Sequence, residues 1–221
     1  QGLQGDLNRV DVEGTAKLMR ECQDSNVKRI MYLSHHGADR GSVFPVFKAK
    51  GIAENWIISS GLPYTIFRTG AVFGPGDQFT EPIARLLKLF PFVFLIPAEG
   101  ETLLQPISVE DLTTCLLLAV ENEGMINRVI SIGGIESIQY KEIVKLIMQK
   151  TGRNRSLISI NPHTLRRLTL YIDQIYRRFP VSIFWLDELA VDRITNLDVL
   201  PREFGIIPAR FKNQLDYLEK V

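Results

Sequence analysis

From residue 11 onward, short apolar runs alternate with segments of helical periodicity ten or more residues long, and that alternation restricts the chain to βαβ units around a mostly parallel sheet. Asp11 to Cys22 places Val12, Ala16, Met19 and Cys22 on one helical face, and Val27 to Ser34 follows as a β-rich apolar run. Gly37 to Ser42 is a polar loop. Pro45 to Ser60 reads as a helix closed by Gly61, with Pro63 just beyond, and Tyr64 to Thr69 as the next strand. The glycines and proline between Gly70 and Asp77 break both periodicities and predict a loop. Further helices are predicted over 79–89, 109–122, 140–151 and 163–178, and strands over 128–132 and 157–160.

Open parallel sheets bind ligands beyond the carboxyl ends of their strands. Here those ends are Leu33-Ser34-His35, Thr69-Gly70-Ala71-Val72 and Ile132-Gly133-Gly134. Past Gly134 the pattern becomes mainly helical. The expected fold class is therefore α/β, a Rossmann-like doubly wound sheet over residues 1–134, with a small helical substrate or partner subdomain over 135–221.

The 221 residues suffice for one well-cored domain, and 45% hydrophobic with 23% charged residues is ordinary for a globular chain. Lys+Arg of 26 against Asp+Glu of 25 removes the basic footprint of a nucleic-acid binder, so no nucleic-acid partner is expected. The longest uncharged apolar stretch, Leu89 to Pro97, is too short to span a bilayer, which leaves only peripheral association with a membrane. Cys22 and Cys115 both fall in helical segments, which suits a reducing, cytoplasmic compartment. The start, Gln1-Gly2-Leu3, has neither Met nor a signal-peptide pattern and reads as a truncation.

Projecting the 45–60 helix at about 100° per residue from Val46 puts Ala53, Ile57, Ala49, Trp56 and Lys50 in one apolar stripe, with Lys48 opposite. A lysine on a core-facing stripe needs a partner for its ammonium, and desolvation there suits it to proton chemistry. The structural alternatives are a snorkelling stem or an ion pair with Glu54 four residues on. Ser34 ends its strand, so its hydroxyl is presented either to a ligand or to a turn. Adjacent His35 and His36 cannot share a strand face, and no metal site is expected. Ser108-Val-Glu-Asp111 and Asn161-Pro162 read as helix caps.

Six segments in this order and spacing resemble the atypical and extended short-chain dehydrogenases: Asp11-Val-Glu-Gly-Thr15, Val27 to Ser34, Lys50-Gly-Ile-Ala-Glu54, Ser60 to Arg68, Val72-Phe-Gly-Pro-Gly-Asp77 and Gln105 to Asp111. Within that superfamily, which includes the NAD-dependent epimerases and dehydratases, the chain resembles most the NmrA-like proteins and the relatives of the complex I 39 kDa subunit. The resemblance covers roughly residues 8–150. It implies bound NAD or NADP, with Ser34, His35, Lys50, Thr69, Gly70, Ala71 and Val72 approaching the cofactor, and Lys50 and Ser34 as the catalytic candidates. It also implies that the glycine fingerprint of the cofactor site belongs upstream of Gln1.

Two departures from the family pattern stand out. Active members carry Tyr-x-x-x-Lys, but Val46 stands four residues before Lys50, and Phe44 stands four before Lys48. Asp11 occupies the place of a family asparagine. The resemblance therefore implies an NAD(P)-binding oxidoreductase without the standard tyrosine, acting on a small molecule that the aromatic run Phe90-Pro-Phe-Val-Phe94 suggests is hydrophobic or quinone-like. The alternatives are a non-catalytic nucleotide-sensing or structural subunit, and a nucleotide-sugar epimerase or dehydratase, whose chemistry leans on the same missing tyrosine.

Overall fold

The structure, a computed structural model, describes residues 7–175 and 183–221. The predicted truncation at Gln1 to Leu3 and the last three residues of the helix predicted to reach Arg178 lie outside the described residues. Along the chain, a π-helical turn Asn8–Gly14 runs into α1 (Thr15–Asp24), followed by β1 (Ile30–His35), α2 (Pro45–Ser59), β2 (Tyr64–Thr69), β3 (Val72–Phe73) and α3 (Thr80–Leu89). Then come β4 (Val93–Pro97), β5 (Leu103–Leu104), β6 (Ile107–Ser108), α4 (Val109–Glu121), β7 (Arg128–Ile132) and β8 (Ile138–Gln139). The last elements are α5 (Tyr140–Thr151), β9 (Ser156–Ile160), α6 (Pro162–Ile175), α7 (Ile183–Glu188) and α8 (Val199–Phe204). Two compact units form, Gln1–Thr69 with Thr114–Ile132, and Gly70–Thr113 with Gly133–Val221.

The first unit is built on three parallel strands in the order β1-β2-β7. Their register pairs His35 with Thr69 and Thr69 with Ile132, so the three carboxyl ends finish level. Met19 of α1, Ile57 of α2 and Ile66 of β2 form a buried cluster against which Tyr32 and Cys22 pack. Strand β1 begins at Ile30 rather than Val27 because residues 25–29 turn the chain: the Val27 amide closes on the Cys22 carbonyl, and Asn26 has a positive φ of 52°. Arg29 then donates to the carbonyls of Ala119 and Val120 at the end of α4, where a cation is favoured.

The buried arc of α2 is centred nearer Lys50 than Val46. Phe47, Ala53, Glu54 and Ile57 are buried, Lys48 is exposed as expected, and Trp56, expected in the stripe, is 43% exposed. Gly51 is required on this arc, since a Cβ there would come within 2.4 Å of the backbone of Asp39 and Arg40. Gly61, at φ 75°, follows α2 in the left-handed conformation that glycine adopts without strain.

In the second unit, the predicted loop 70–77 contains a short strand, β3, paired in parallel with β6. The aromatic run ending at Phe94 feeds β4, which pairs in parallel with β9. Neither alternates cleanly along the sequence, so period-2 reading misses both. A core of Phe73, Leu87, Phe94, Tyr140, Ile147 and Phe211 packs around α3 and α5. Both predicted caps form: Ser108 Oγ accepts from the Asp111 amide at 3.0 Å, and Asn161 Oδ1 from the His163 amide at 2.9 Å. Asp77 caps α3 in the same way, its Oδ1 accepting from the amides of Phe79, Thr80 and Glu81.

Gly51→Ala places a methyl against backbone that cannot rotate away, so chemical denaturation is expected to show a loss of about 2 kcal/mol. Ala at the open, exposed α2 position Asn55 is the control and is expected to change stability little.

Candidate functional site

Lys50 stands one turn before Glu54 on α2, but its partner is not Glu54. Its Nζ lies 3.1 Å from Asp11 Oδ1, donates to the Tyr32 hydroxyl at 3.3 Å, and sits 5.1 Å from the centre of the Tyr32 ring. Glu54, 3% exposed, instead receives Arg68 of β2 in a two-pronged bond, Nε to Oε1 at 2.9 Å and Nη2 to Oε2 at 2.5 Å. The i,i+4 pair expected from the sequence is thus replaced by two tertiary pairs, each tying α2 to a different element. Asp11 arrives on the π-helical turn, with its carboxylate side chain only 8% exposed.

The Lys50 ammonium is held above its ordinary pKa. Burial, the largest influence, lowers it, but attraction and hydrogen bonding to Tyr32 and Asp11 together outweigh that. Burial likewise raises the Tyr32 hydroxyl, against the pull of Lys50. At neutral pH, Lys50 is therefore a fixed cation beside a neutral phenol, better suited to orienting a polar ligand than to removing a proton.

At the carboxyl ends of the strands, Ser34 is 3% exposed and Thr69 is 4% exposed. Neither Ser34 Oγ nor Thr69 Oγ1 has a hydrogen-bond partner. An unsatisfied buried hydroxyl costs about 1–3 kcal/mol, and two of them on neighbouring strands call for an explanation. The turn reading of Ser34 does not supply one, because its hydroxyl bonds to no backbone group. His35 places Nδ1 at 2.8 Å from the His36 carbonyl and packs its ring 5.2 Å from that of Phe47, while His36 Nε2 lies 3.0 Å from the Ile132 carbonyl. Among the described residues no cluster of three or more His, Cys, Asp and Glu could hold a metal ion.

Ser34, His35, Lys50 and Thr69 thus belong to the first unit, with the two hydroxyls and His35 at the strand ends and Lys50 engaged with Asp11 and Tyr32. Gly70, Ala71 and Val72, next in the chain, open the second unit, where the Ala71 carbonyl accepts from the Ile107 amide at 3.0 Å and Val72 pairs with Ile107. Tyr32 is the residue the sequence reading passed over. It lies two positions before Ser34 on β1, and only tertiary structure brings its hydroxyl to Lys50. Period-2 spacing from Ser34 is the one signal that could have marked it.

No protein-family model matches the chain. It is 28% identical over 163 residues to an NmrA-like family domain-containing oxidoreductase of Aspergillus flavus, covering 70% of this chain and 50% of that protein. It is 24% identical over 143 residues to a mitochondrial NADH dehydrogenase [ubiquinone] 1 alpha subcomplex subunit 9 of Arabidopsis thaliana, covering 64% of this chain and 35% of that one. Among solved structures, the triphenylmethane reductase of Citrobacter sp. complexed with NADP(H) superposes with a TM-score of 0.73 at 14% identity, covering 97% of this chain and 72% of the reductase. The chain spans about half the length of the curated relatives it matches. The resemblance to the atypical short-chain dehydrogenases, including the NmrA-like and complex I 39 kDa-like proteins, holds in sequence, and the fold is that of the Rossmann-type epimerases and reductases.

A raised lysine pKa contributes stability that is fully present below its unfolded value, about 10.4, and is lost as pH rises through the folded value. Tyr32, raised as well, acts in the same direction. The melting temperature is expected to fall above about pH 10, and less steeply in Lys50→Met. That variant starts lower at neutral pH, because the nearly buried Asp11 carboxylate loses the Lys50 ammonium 3.1 Å away.

Proposed function

We propose that this chain contributes to the nicotinamide site of an NAD(P)-binding short-chain dehydrogenase-like protein, an oxidoreductase working without the standard catalytic tyrosine. The observation that carries this reading is the pair of buried, unpartnered hydroxyls of Ser34 and Thr69 at level carboxyl ends of adjacent parallel strands. Such ends are where open α/β sheets take ligands, and a dinucleotide's ribose hydroxyls and carboxamide are donors and acceptors of the kind these atoms lack. The names of the relatives support it: one is an oxidoreductase, and one structural neighbour was crystallised with NADP(H).

In this reading Ser34, His35, Lys50 and Thr69 hold the cofactor from the first unit. When bound, the nicotinamide supplies hydride transfer. Lys50, kept charged by Tyr32 and Asp11, orients hydroxyl groups by donating to them, and Ser34 Oγ is free to bond a reacting carbonyl oxygen. Tyr32 Oη, beside Lys50, supplies the phenol proton that the family takes from a tyrosine four residues before the lysine. The substrate in this reading is a small hydrophobic or quinone-like molecule.

The direct Lys50–Asp11 ion pair favours a second reading, a nucleotide-sensing or structural subunit, because an ammonium already satisfied by a carboxylate needs no substrate. The epimerase or dehydratase reading rests on likeness of fold, such as that to the UDP-glucose 4-epimerase of Thermotoga maritima. No helix among the described residues is long and apolar enough to cross a membrane, and neither Cys22 nor Cys115 is disulfide-bonded, which supports the reducing, cytoplasmic setting as part of the proposal.

Thermal-shift titration of the full-length protein with NAD(H) and NADP(H) tests this. A ligand at ~100 times its Kd stabilises by about 2.7 kcal/mol, several degrees, and Ser34→Ala and Lys50→Ala are expected to reduce the shift. No shift with any of the four dinucleotides would sink the cofactor reading. A shift without nicotinamide turnover on a quinone and aldehyde panel would select the non-catalytic subunit.

A further inference from the structure

His36 lies outside the proposed cofactor set, yet the ends of the first unit's sheet converge on it. The residue is buried. Its amide donates to the Thr69 carbonyl at 3.0 Å, one bond beyond the last β1–β2 pair. Its ring Nε2 lies 3.0 Å from the carbonyl of Ile132, the last residue of β7. Because β2 stands between β1 and β7, this one residue joins the carboxyl ends of all three strands, and every group involved belongs to the first unit.

The chemistry of these contacts fixes the ring. A carbonyl oxygen accepts and cannot donate, so the ring nitrogen facing Ile132 carries a proton and is the donor. The backbone around it is held as well. The His36 carbonyl accepts from His35 Nδ1 at 2.8 Å, and Gly37, at φ 81°, turns the chain so that the Ala38 amide returns to the His35 carbonyl at 3.0 Å. His36 is thus bonded at its amide, its carbonyl and its ring.

The effect falls on the two unpartnered hydroxyls. Ser34 stands two residues before His36, and Thr69 supplies the carbonyl that the His36 amide meets. Groups that bind a ligand must be held within about 0.5 Å of the productive geometry by hydrogen bonds from the residues behind them. The ladder fixes Ser34 and Thr69 along one pair of strands, and the bond to Ile132 adds the third.

We infer that His36 is a positioning residue of the nicotinamide site: its ring N–H, bonded to the Ile132 carbonyl, holds the strand ends at the spacing in which the Ser34 and Thr69 hydroxyls meet the ligand. This rests on the cofactor reading above and adds to it a residue that acts through those two hydroxyls without touching the ligand.

The test titrates the full-length wild type, His36→Phe and His36→Gln with NADH and NADPH, and with ADP, which lacks the nicotinamide half. Phenylalanine keeps a flat ring and removes the donor, whereas glutamine returns an N–H at similar reach. Loss of one such bond corresponds to a factor of about five to ten in affinity. His36→Phe is expected to lose that factor for the dinucleotide and nothing for ADP, and His36→Gln to recover to within about twofold of the wild type. Wild-type affinity in His36→Phe overturns the inference, as does an equal loss for ADP, which marks general loosening, or a failure of glutamine to rescue. A wild type that binds no dinucleotide overturns instead the cofactor reading, and this inference with it. If His36→Phe does not fold, nuclear magnetic resonance of the wild type with isotope-labelled histidine decides. The His36 ring resonances are expected to shift when NADH or NADPH binds and to stay in place with ADP, and unshifted resonances with dinucleotide bound overturn the inference.

Discussion

The buried bond between Glu54 and Arg68 fixes the rest of the first unit. A carboxylate 3% exposed on α2 is tolerable only because a guanidinium from β2 meets both its oxygens. That bond sets the rotation of α2 about its axis. One turn earlier it leaves Lys50 facing β1 and the π-helical turn, where Tyr32 and Asp11 receive it. Gly51, on the same arc, lets the backbone of Asp39 and Arg40 close on the helix. The position of the ammonium is thus a consequence of packing, reached before any ligand is considered.

Much of this was visible in the sequence, for identifiable reasons. β2, β7 and α5 have their predicted bounds, because each is bracketed by strong punctuation such as Gly61-Leu-Pro63 or Gly152. The place of Lys50 in the buried stripe followed from helical geometry alone. What geometry within one helix cannot supply is a partner from elsewhere: Glu54 was the only acid in view along α2, while Asp11 and Tyr32 are far off in sequence. The misplacement of Trp56 has the same origin, since the stripe was centred by counting apolar residues, and Glu54 displaced that centre by being buried. β3 and β4 escaped because a two-residue strand and an aromatic run carry no usable period.

For the site, the strand ends and Ser34 stood out in the sequence as candidates, because parallel topology itself predicts where ligands bind. The unpartnered state of the Ser34 and Thr69 hydroxyls did not, since it depends on what the folded chain fails to place beside them. The absent tyrosine before Lys50 looked like a simple loss. In the folded unit another phenol, from β1, stands beside the same lysine, and that phenol and Asp11 together keep the lysine charged against its burial. The two departures from the family pattern therefore meet at one ammonium.

The most direct test is a crystal structure of the protein with NADP(H) or NAD(H) bound. The account predicts that Ser34 Oγ and Thr69 Oγ1 each acquire a hydrogen bond to the nicotinamide half of the ligand, with the Lys50 ammonium turned toward its ribose. A dinucleotide bound elsewhere, or bound while both hydroxyls remain unpartnered, would contradict it.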